Sequence, residues 1–546
     1  MIKNLLLSLL LASSSFACAS AWAAPANVNF TVTMSEAVNV NTGSGTPRIA
    51  VNVDGQTRYA TYSAGTGTSS LTFSYAPTIG DLDLDGVALT SPMDLNGGII
   101  TDLNGNPETD LTFTAPNTSG IKIDYPSLSM DFIADTDGRY TLNGTAYNNL
   151  SSFLTAAGGT YTRASVGTYF DSTGTLQTAS TNTPRFEYDP TTHAPKGILI
   201  EESRTNLIKS SEILESGNWV NENSSLTITT NVIAAQDGTL TADKISDNAL
   251  NIRHALLAAS LTITSGTTYT ATFFAKSAEH QYIQALFGNA AFPPNAYANF
   301  NLSGAGSVSY TGANISDAKI TQLNNGWYRC QLTATAITTG TNYHLFFTLT
   351  NNVNTPTRSP TYIGSGGGLY IWGAQLEEGT FPTSYIPTTS SQVTRNADSL
   401  SLPVGAWFNS TAQTLAGEYS SFAPSTYSTR LASINGGFSA NTYQIANAST
   451  GKVLAQKAVS GVISNANGPN YIPNTTYKTA GAMDATSSPF AVNNVLYNYT
   501  HAGIPSGITR IQIGYQNAAS FLNGYISEIK YYPIRTSNSQ LQLLTQ

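Results

Sequence analysis

The chain has 546 residues, and its 24 basic and 32 acidic residues give a formal net charge of -8. This length is too great for one compact β domain and predicts three or four domains. No basic cluster stands out, which argues against nucleic-acid binding. Only 10% of the residues are charged, and the other polar residues are mainly Thr, Ser and Asn beside abundant Gly. That composition favours short strands joined by turns and predicts an all-β protein.

Residues 1–23 are typical of a secretory signal peptide. Lys3 supplies the positive start, residues 5–11 the apolar segment, and the Ala-Trp-Ala of 21–23 a small-x-small cleavage site. The apolar run is too short to span a membrane, and no later run is long enough. After cleavage only Cys330 would remain, so no intramolecular disulfide is expected. The sequence therefore predicts a secreted or cell-surface protein without a membrane span.

Residues 24–118 contain short alternating runs separated by Gly-rich turns. The predicted strands lie at 28–34, 48–53, 57–62 and 70–75, a spacing typical of a β-sandwich. The sequences VTMSEAVNV, TPRIAVNVDGQTRYATYSAGTGTSSLTFSY and GGIITDLNGN resemble the bacterial Ig-like repeats of large surface adhesins. Such repeats usually form long arrays, whereas this chain has one, which favours a spacer or single-module role.

An Asp-rich hexapeptide, DLDLDG, begins at Asp81 and is the candidate metal site. Alternate carboxylates before a glycine open EF-hand loops, because Ca²⁺ prefers several oxygen ligands. The candidate calcium ligands are Asp81, Asp83, Asp85 and Asp102. The twelfth position of the loop, where an EF-hand has Glu, is Pro92. The alternative interpretation is that these carboxylates are turn residues on a solvated edge.

Residues 119–205 are predicted to be an irregular connector. A short helix is expected within 142–155, capped near Asn148. Residues 161–207 read YTRASVGTYFDSTGTLQTASTNTPRFEYDPTTHAPKGILIEESRTNL, and their three prolines disfavour a central strand. Only the apolar run at 197–200 is expected to pair with a sheet.

The segment 161–207, together with GLYIWGAQLEEGTFPTSYIPTT at 368–389, resembles a module of phage virion and prophage-encoded structural proteins. In that family the first segment precedes a jelly roll and the second closes it, so the resemblance implies a carbohydrate-binding-like (galactose-binding-like) jelly roll over 206–399. Family members are tail- or head-associated proteins of unassigned activity. They assemble in the cytoplasm, so the predicted signal peptide favours a bacterial surface protein over a phage virion component.

The spacing of β-prone runs supports the jelly roll independently of the resemblance. Strands are predicted at 225–231, 268–275, 282–287, 297–302, 327–336 and 343–349. Asn325 and Gly326 form a tight turn just before Trp327. The alternation of the closing segment assigns both Trp372 and Leu376 to the core.

Residues 400–546 are predicted to form a second jelly roll. Strands are expected at 414–419, 430–434, 442–446, 476–483, 489–492, 510–515 and 524–532. The ending, FLNGYISEIKYYPIRTSNSQLQLLT, resembles the last strand of concanavalin A-like (laminin-G-like) domains. In those domains a short helix follows, and here Ser537 would cap a helix over 538–544.

Catalytic motifs are not evident, and we predict a protein that is not an enzyme. The five histidines lack metal-ligand spacing, and no G-x-S-x-G elbow occurs. Jelly-roll glycosidases use two carboxylates that face one groove. The neighbouring pairs Glu201-Glu202 and Glu377-Glu378 point to opposite faces of a strand, so neither pair forms such a site by itself.

Glycan recognition is the leading functional hypothesis. Lectin-like sites use an aromatic ring against the apolar sugar face and amides for the hydroxyls. The candidate sugar-binding residues are Trp219, Tyr282, Tyr297, Asn447 and Tyr471. For each aromatic residue the alternative is an ordinary sheet-surface residue without a ligand.

The predicted partners are therefore glycans or cell-surface polysaccharide, bound by a non-catalytic surface or virion-type adhesin. Two alternatives stay open: a polysaccharide-acting enzyme with accessory binding modules, and a purely structural spike component. The sequence also leaves open whether the chain forms homo-oligomers.

Overall fold

The computed structural model describes residues 25–136, 138–288, 290–351, 353–437, 440–497, 499, 503–516 and 520–546. The predicted signal peptide, 1–23, lies outside these residues. Within the described ranges the chain is all-β, with antiparallel sheets, two short α-helices and sandwich packing, so the predicted fold class is confirmed. No helix in this part of the chain is long and apolar enough to cross a membrane.

The N-terminal unit is an antiparallel sheet in which the predicted strands are confirmed. Its strands are β1 (Val28–Asn41), β2 (Arg48–Val53), β3 (Gln56–Ala64), β4 (Thr68–Tyr75), β5 (Leu82–Asp83), β6 (Ala88–Asp94), β7 (Ile99–Asp102) and β8 (Ile123–Asp124). Six of them form the order β6-β2-β3-β4-β1-β7, and β5 pairs with β8. A register shift between Thr33 and Val38 lets β1 pair first with β4 and then with β7. Alternate apolar side chains, including Phe30 and Phe73, form the core.

Residues 119–205 differ from the expected irregular connector, because they carry short strands that complete the last sandwich. The elements are β9 (Leu128–Asp131), β10 (Tyr140–Leu142), β11 (Thr145–Tyr147), α1 (Leu150–Ala157), β12 (Thr160–Thr162), β13 (Gly167–Phe170), β14 (Leu176–Ala179), β15 (Phe186–Tyr188), β16 (Pro195–Ile200) and β17 (Arg204–Asn206). Strands β9 and β16 both pair with β43 (Gly524–Tyr532), and β12 pairs with β33 (Ser399–Pro403). The predicted pairing of 197–200 is thus confirmed.

Helix α1 lies later in the chain than predicted, and its caps explain where it starts and stops. The Asn149 side chain accepts the Ser152 N–H at 2.8 Å, which satisfies one of the unpaired amides of the first turn. Gly158 ends the helix with φ 66°, a left-handed conformation that glycine adopts without strain. The helix buries Leu150, Phe153 and Leu154 in the core of the last sandwich.

The predicted jelly roll is a sandwich of two six-stranded sheets. Its strands are β18 (Trp219–Asn221), β19 (Leu226–Ile233), β20 (Ala242–Asp247), β21 (Asn251–Ile252), β22 (Ala255–Ile263), β23 (Thr268–Ser277), β24 (Tyr282–Phe287), β25 (Tyr297–Asn301), β26 (Ser307–Thr311), β27 (Asp317–Gln322), β28 (Trp327–Thr335), β29 (Gly340–Leu349), β30 (Tyr362–Ile363) and β31 (Gly368–Glu378). The sheet orders are β18-β22-β29-β24-β25-β26 and β19-β20-β31-β23-β28-β27. All six predicted strands are confirmed, as is the turn before Trp327, where Asn325 and Gly326 have positive φ.

The outer surface of the β19-β20-β31-β23-β28-β27 sheet is buried against the rest of the chain. Trp372 and Phe274 on this surface pack with Phe170 and Leu176 from the β13–β14 hairpin. Trp372 and Leu376 are both buried, as predicted, but Leu376 points into the jelly-roll core and Trp372 points away from it. The register shift beside Gly373 reverses the alternation between the two residues.

The C-terminal sandwich combines strands from both sides of the jelly roll. Its later elements are β32 (Val393–Arg395), β33, β34 (Gln413–Ser421), β35 (Thr429–Asn435), β36 (Thr442–Ala448), β37 (Lys452–Val459), β38 (Val462–Asn470), β39 (Thr476–Met483), β40 (Phe490–Val492), β41 (Val495–Tyr497), β42 (Arg510–Ile513), β43 and α2 (Asn538–Leu543). One sheet has the order β11-β10-β9-β43-β34-β39-β40-β41, with β15-β16 attached to β43, and the other has the order β12-β33-β42-β35-β36-β37-β38. Ser537 caps α2 by accepting the Gln540 N–H, as predicted.

Strands β17 and β32 pair where the chain enters and leaves the jelly roll. The jelly roll is therefore inserted between two parts of the last sandwich. The predicted domain boundaries themselves stay predictions.

Candidate functional site

Charged residues of the first long sequence motif meet Arg395 and Asp398, which follow the second motif, at the junction between the jelly roll and the C-terminal sandwich. We call Arg163, Arg185, Glu201, Arg395 and Asp398 the junction cluster. The side chains of all five are at most 1% exposed. Arg185 contacts both acids, with 2.8 Å to Glu201 and 2.6 Å to Asp398. Arg163 lies 3.2 Å from Asp398, and Arg395 lies 3.5 Å from Glu201.

Neutral donors complete the cluster. Ser384 donates its backbone N–H and its hydroxyl to Glu201, each at 2.7 Å, and Tyr161 donates its hydroxyl to Asp398 at 2.6 Å. Burial alone would raise the pKa of Glu201, but Arg395 and Arg185 hold it at about 2. Burial raises the pKa of the neighbouring Glu187 to about 8. The ion pairs of the cluster link residues on both sides of the jelly roll, Glu201 before it and Arg395 after it.

A cavity of about 220 Å³ lies beside this junction, where the β13–β14 hairpin meets the jelly roll. We call it the junction cavity. Its lining comes from the hairpin turn, the loop after β19, the end of β23 and the turn before β28: Thr173, Gly174, Thr175, Ile233, Ala234, Ala235, Gln236, Gly238, Lys276, Asn324, Asn325 and Trp327. Lys276 and Trp327 are register partners on β23 and β28, which places them side by side.

One polar group that lines the junction cavity, the Gln236 side chain, lacks a strong protein partner. Gln236 is 4% exposed, and its Oε1 has no hydrogen-bond partner in the described part of the chain. Its Nε2 donates to the Gly174 carbonyl at 3.5 Å, a long contact. The Asn324 Nδ2 donates to the Thr173 carbonyl at 2.8 Å. Half-buried Lys276 is the one charged residue of this lining.

Gly174 is required for the geometry of this cavity. Its φ is +73°, and a Cβ there would lie 2.0 Å from the Asn324 Nδ2 and 2.5 Å from the Pro190 carbonyl oxygen. Any larger residue would therefore displace Asn324, so the glycine lets the hairpin approach the turn before β28.

The candidate sugar-binding residues from the sequence lie elsewhere, and four of them are buried. Trp219 is 6% exposed, donates its indole N–H to the Ser210 carbonyl at 2.6 Å and packs on Phe347. Tyr297 is 2% exposed and stacks on Tyr310. A sugar platform needs an accessible ring face, so these rings do not contribute to the junction cavity or to an exposed platform.

In the C-terminal sandwich the two candidates face inward. Asn447 accepts the Tyr419 hydroxyl at 2.7 Å, and Tyr471 donates its hydroxyl to the Ser421 and Ala423 carbonyls. Half-buried Tyr282 shares one face of neighbouring strands with Tyr297, because both point away from the jelly-roll core.

The candidate calcium ligands bond to protein groups instead of surrounding a shared space. Asp81 accepts from Arg58 at 2.8 Å and from the Tyr75 hydroxyl. Asp83 accepts the backbone N–H groups of Asp54 and Gly86.

Asp85 accepts from the Gln540 Nε2 of helix α2, and Asp102 closes its own turn by accepting from Asn104 and Asn106. Among the described residues no group of three or more His, Cys, Asp or Glu side chains is placed to hold a metal ion. The loop at 81–86 instead docks the N-terminal unit on α2, where the Leu84 N–H also donates to Gln540. Calcium binding stays an untested prediction.

The fold and site describe an all-β protein of sandwich modules with a polar cavity at a module junction. No protein-family model and no curated protein matches the chain. Among solved structures, the CBM40 of Ruminococcus gnavus IT-sialidase, bound to alpha2,3 sialyllactose, is 13% identical, with a TM-score of 0.22 over 25% of this chain and 84% of that chain.

Domain 4 of AbnA, a GH43 extracellular arabinanase from Geobacillus stearothermophilus in complex with arabinotriose, is 13% identical, with a TM-score of 0.24 over 31% of this chain and 82% of that chain. Domains LG4-5 of the mouse laminin alpha1 chain are 11% identical, with a TM-score of 0.19 over 51% of this chain and 84% of that chain. These similarities identify no ligand for this chain, and the resemblance to a phage module stays a prediction.

The residues of the junction cavity were missed by sequence reasoning. Lys276, Gln236 and Asn324 belong to no sequence motif. The turn at 173–175 lies more than 60 positions before Gln236, which is the nearest of the three along the chain. The sequence signal that could have located the cavity is the pair of turn residues Gly174 and Asn325. Both residue types adopt positive φ readily, and such turns mark places where chain segments approach closely.

Proposed function

We propose that the protein is a non-catalytic glycan-binding protein and that the junction cavity receives one sugar residue. The observation that carries the proposal is a polar cavity containing an unpartnered Gln236 acceptor. Sugar hydroxyls both donate and accept hydrogen bonds, and the cavity offers amides, threonine hydroxyls and an ammonium group. Trp327 borders the cavity but is 2% exposed, so polar contacts carry the proposed recognition.

The size of the cavity favours a single terminal or branching residue of a glycan. Its volume of about 220 Å³ is below the ~300–1,000 Å³ of sites for larger ligands. Glycosidases use two carboxylates, whereas the lining residues described above include none. This supports binding without turnover. The proposal takes the protein to be exported, as residues 1–23 predict.

The test is a glycan array with full-length protein and with Gln236→Leu, which keeps the side-chain volume but removes the acceptor and donor. We expect the variant to lose roughly 10-fold or more in affinity for the glycans that the native protein binds, because a hydroxyl would be left unpaired. Its melting temperature should stay equal or rise, since a buried unpartnered acceptor is removed.

Gln322→Leu is the matched control, because Gln322 is exposed on neighbouring β27 and lies outside the lining. Equal binding by native protein and Gln236→Leu would refute the proposed cavity. Release of reducing ends from a bound polysaccharide would support the enzyme alternative instead.

A further inference from the structure

The outer face of the β12-β33-β42-β35-β36-β37-β38 sheet carries a row of amide side chains. Strand register places Gln512, Ser433, Gln444, Gln456 and Asn465 side by side on five consecutive strands. With neighbouring strands about 4.8 Å apart, the row is roughly 19 Å long. Gln512, Ser433 and Gln444 are at most 4% exposed, so a ligand reaches the row at half-buried Gln456 and exposed Asn465.

Hydrogen bonds fix the direction of this amide row. Gln444 donates its Nε2 to the Gln456 Oε1 at 2.5 Å, and Gln456 donates its Nε2 to the Asn465 Oδ1 at 2.9 Å. Buried Gln444 anchors the row, and exposed Asn465 ends it at the sheet edge. Such a chain of amides presents both donors and acceptors at fixed positions, which matches the hydroxyls of a sugar chain.

Arg430 contacts Gln444 in the middle of the row and has no acidic partner among the described residues. Its Nε donates to the Gln444 Oε1 at 3.1 Å and to the Gln516 Oε1 at 3.2 Å. Its Nη1 donates to the Ser428 hydroxyl at 2.9 Å and to the Thr429 carbonyl at 3.0 Å. All four acceptors are neutral, and none of these bonds uses Nη2. Burial, with no compensating charge, lowers the pKa of Arg430 to about 10.

We propose that this face is a second glycan site, in which half-buried Arg430 pairs with the carboxylate of an acidic sugar and the accessible end of the amide row, Gln456 and Asn465, binds hydroxyls of the sugar chain. A guanidinium holds a planar carboxylate through paired N–H groups, and Nη2 is available for that contact. The ammonium of a lysine would not offer the same planar geometry. The residues of the amide row include no aromatic ring, so charge and hydrogen bonding supply the proposed recognition.

A sugar fits the face better than a peptide does. An extended peptide would need pockets for alternate side chains, whereas the row offers small and amide side chains at regular spacing. The overall charge of -8 makes general attraction of a polyanion weak, so recognition depends on the local Arg430 contact. The inference is independent of the junction cavity, because the two sites share no residues.

The test is calorimetric titration of full-length protein with tetragalacturonate and with 3′-sialyllactose, each beside its carboxyl-reduced form. The two acids separate uronic from sialic sources of the carboxylate. We expect at least one acid to bind, and Arg430→Gln to weaken that binding about 10- to 100-fold, the loss expected for a charged hydrogen bond. Binding of the carboxyl-reduced form should not depend on this substitution.

Arg48→Gln changes the net charge equally on the distant N-terminal unit and should bind like the native protein. Gln456→Ala, on the partly exposed part of the row, should weaken binding even if Arg430→Gln folds poorly. Gln236→Leu should leave acidic binding unchanged, which separates this site from the junction cavity. The proposal is overturned if neither acid binds, if Arg430→Gln binds like the native protein, or if acid and reduced forms bind equally.

Discussion

The arginines of the junction cluster are buried, whereas Arg430 on the outer face of the C-terminal sandwich is half-buried, and their surroundings differ in charge. In the junction cluster three guanidinium groups share the carboxylates of Glu201 and Asp398. On the outer face of the C-terminal sandwich, the acceptors that Arg430 contacts among the described residues are all neutral. A buried charge with a partner holds structure together, whereas a partly buried charge without one is available to a ligand. The difference separates residues that assemble the protein from residues that can bind.

The largest expected effect comes from breaking the junction cluster. Asp398→Asn keeps the shape of the side chain but leaves Arg163 and Arg185 without their shared charge. We expect the free energy of unfolding to fall by about 3–5 kcal/mol, measured by urea denaturation. Asp317→Asn removes the acid of an exposed pair with Lys319 and should cost less than about 1 kcal/mol. Similar losses in both variants would contradict the structural role of the cluster.

Acid pH should weaken the same cluster by a smaller amount. The pKa of Glu201 is about 2 in the folded protein and 4.5 as its ordinary value, so its contribution is present above pH 4.5. That contribution, on the order of 3 kcal/mol, should be lost as the pH falls from 4.5 to 2. Glu187 has the opposite pH dependence, because its pKa is raised to about 8. Its contribution to stability is largest below pH 4.5 and is lost as the pH rises through 8.

The measurement compares urea denaturation of native protein and Glu201→Gln at several pH values. The variant lacks this titration, so the stability difference between the two proteins should shrink as the pH falls below 4.5. A constant difference down to pH 2 would show that Glu201 is not held ionised by its arginine partners.

Substitution of Arg430 should change stability far less than substitution of Asp398. Arg430→Met removes a desolvated charge that has no acidic partner and keeps an unbranched apolar stem. We expect the free energy of unfolding to change by less than about 1 kcal/mol in either direction. A loss as large as that of Asp398→Asn would place Arg430 among the structural arginines and remove the basis for the second site.

The smallest expected effect concerns the acidic loop at 81–86, whose carboxylates are bonded to the protein as those of the junction cluster are. Because Asp81, Asp83 and Asp85 already accept from protein donors, we expect EDTA to shift the melting temperature by less than about 1 °C. Differential scanning calorimetry with and without added Ca²⁺ checks this. A clear drop in EDTA that calcium restores would support the calcium prediction.

The local sequence was sufficient for most strands and for the caps of the second helix. The predicted strands at 282–287, 476–483 and 524–532 coincide with β24, β39 and β43 because their alternation is strong and their turns are clear. By contrast, β37 and β38 were not predicted. Strand β38 contains several Asn residues, a Gly and Pro469, and a proline is tolerated there because β38 is an edge strand.

The sites could not be predicted because they depend on contacts between distant parts of the chain. Trp219 has polar neighbours in sequence, yet its indole N–H is satisfied by Ser210 and its ring is covered by Phe347 from β29. Arg163 and Asp398 meet across 235 positions. The motifs that were most recognisable in the sequence form the interior junction, and the cavity beside it is lined mainly by residues outside them.

The insertion of the jelly roll also sets the order in which the parts of the protein can fold during synthesis. Ser127 and Tyr531 hydrogen-bond across 404 positions, so the last sandwich cannot close until the chain is almost complete. The jelly roll between them is contiguous and can form while the C-terminal strands are still being synthesised. Strands β9, β12, β16 and β17 must meanwhile wait for partners that follow the jelly roll, which exposes their edges to aggregation during synthesis. Truncation from the C-terminus would therefore damage both ends of the molecule at once.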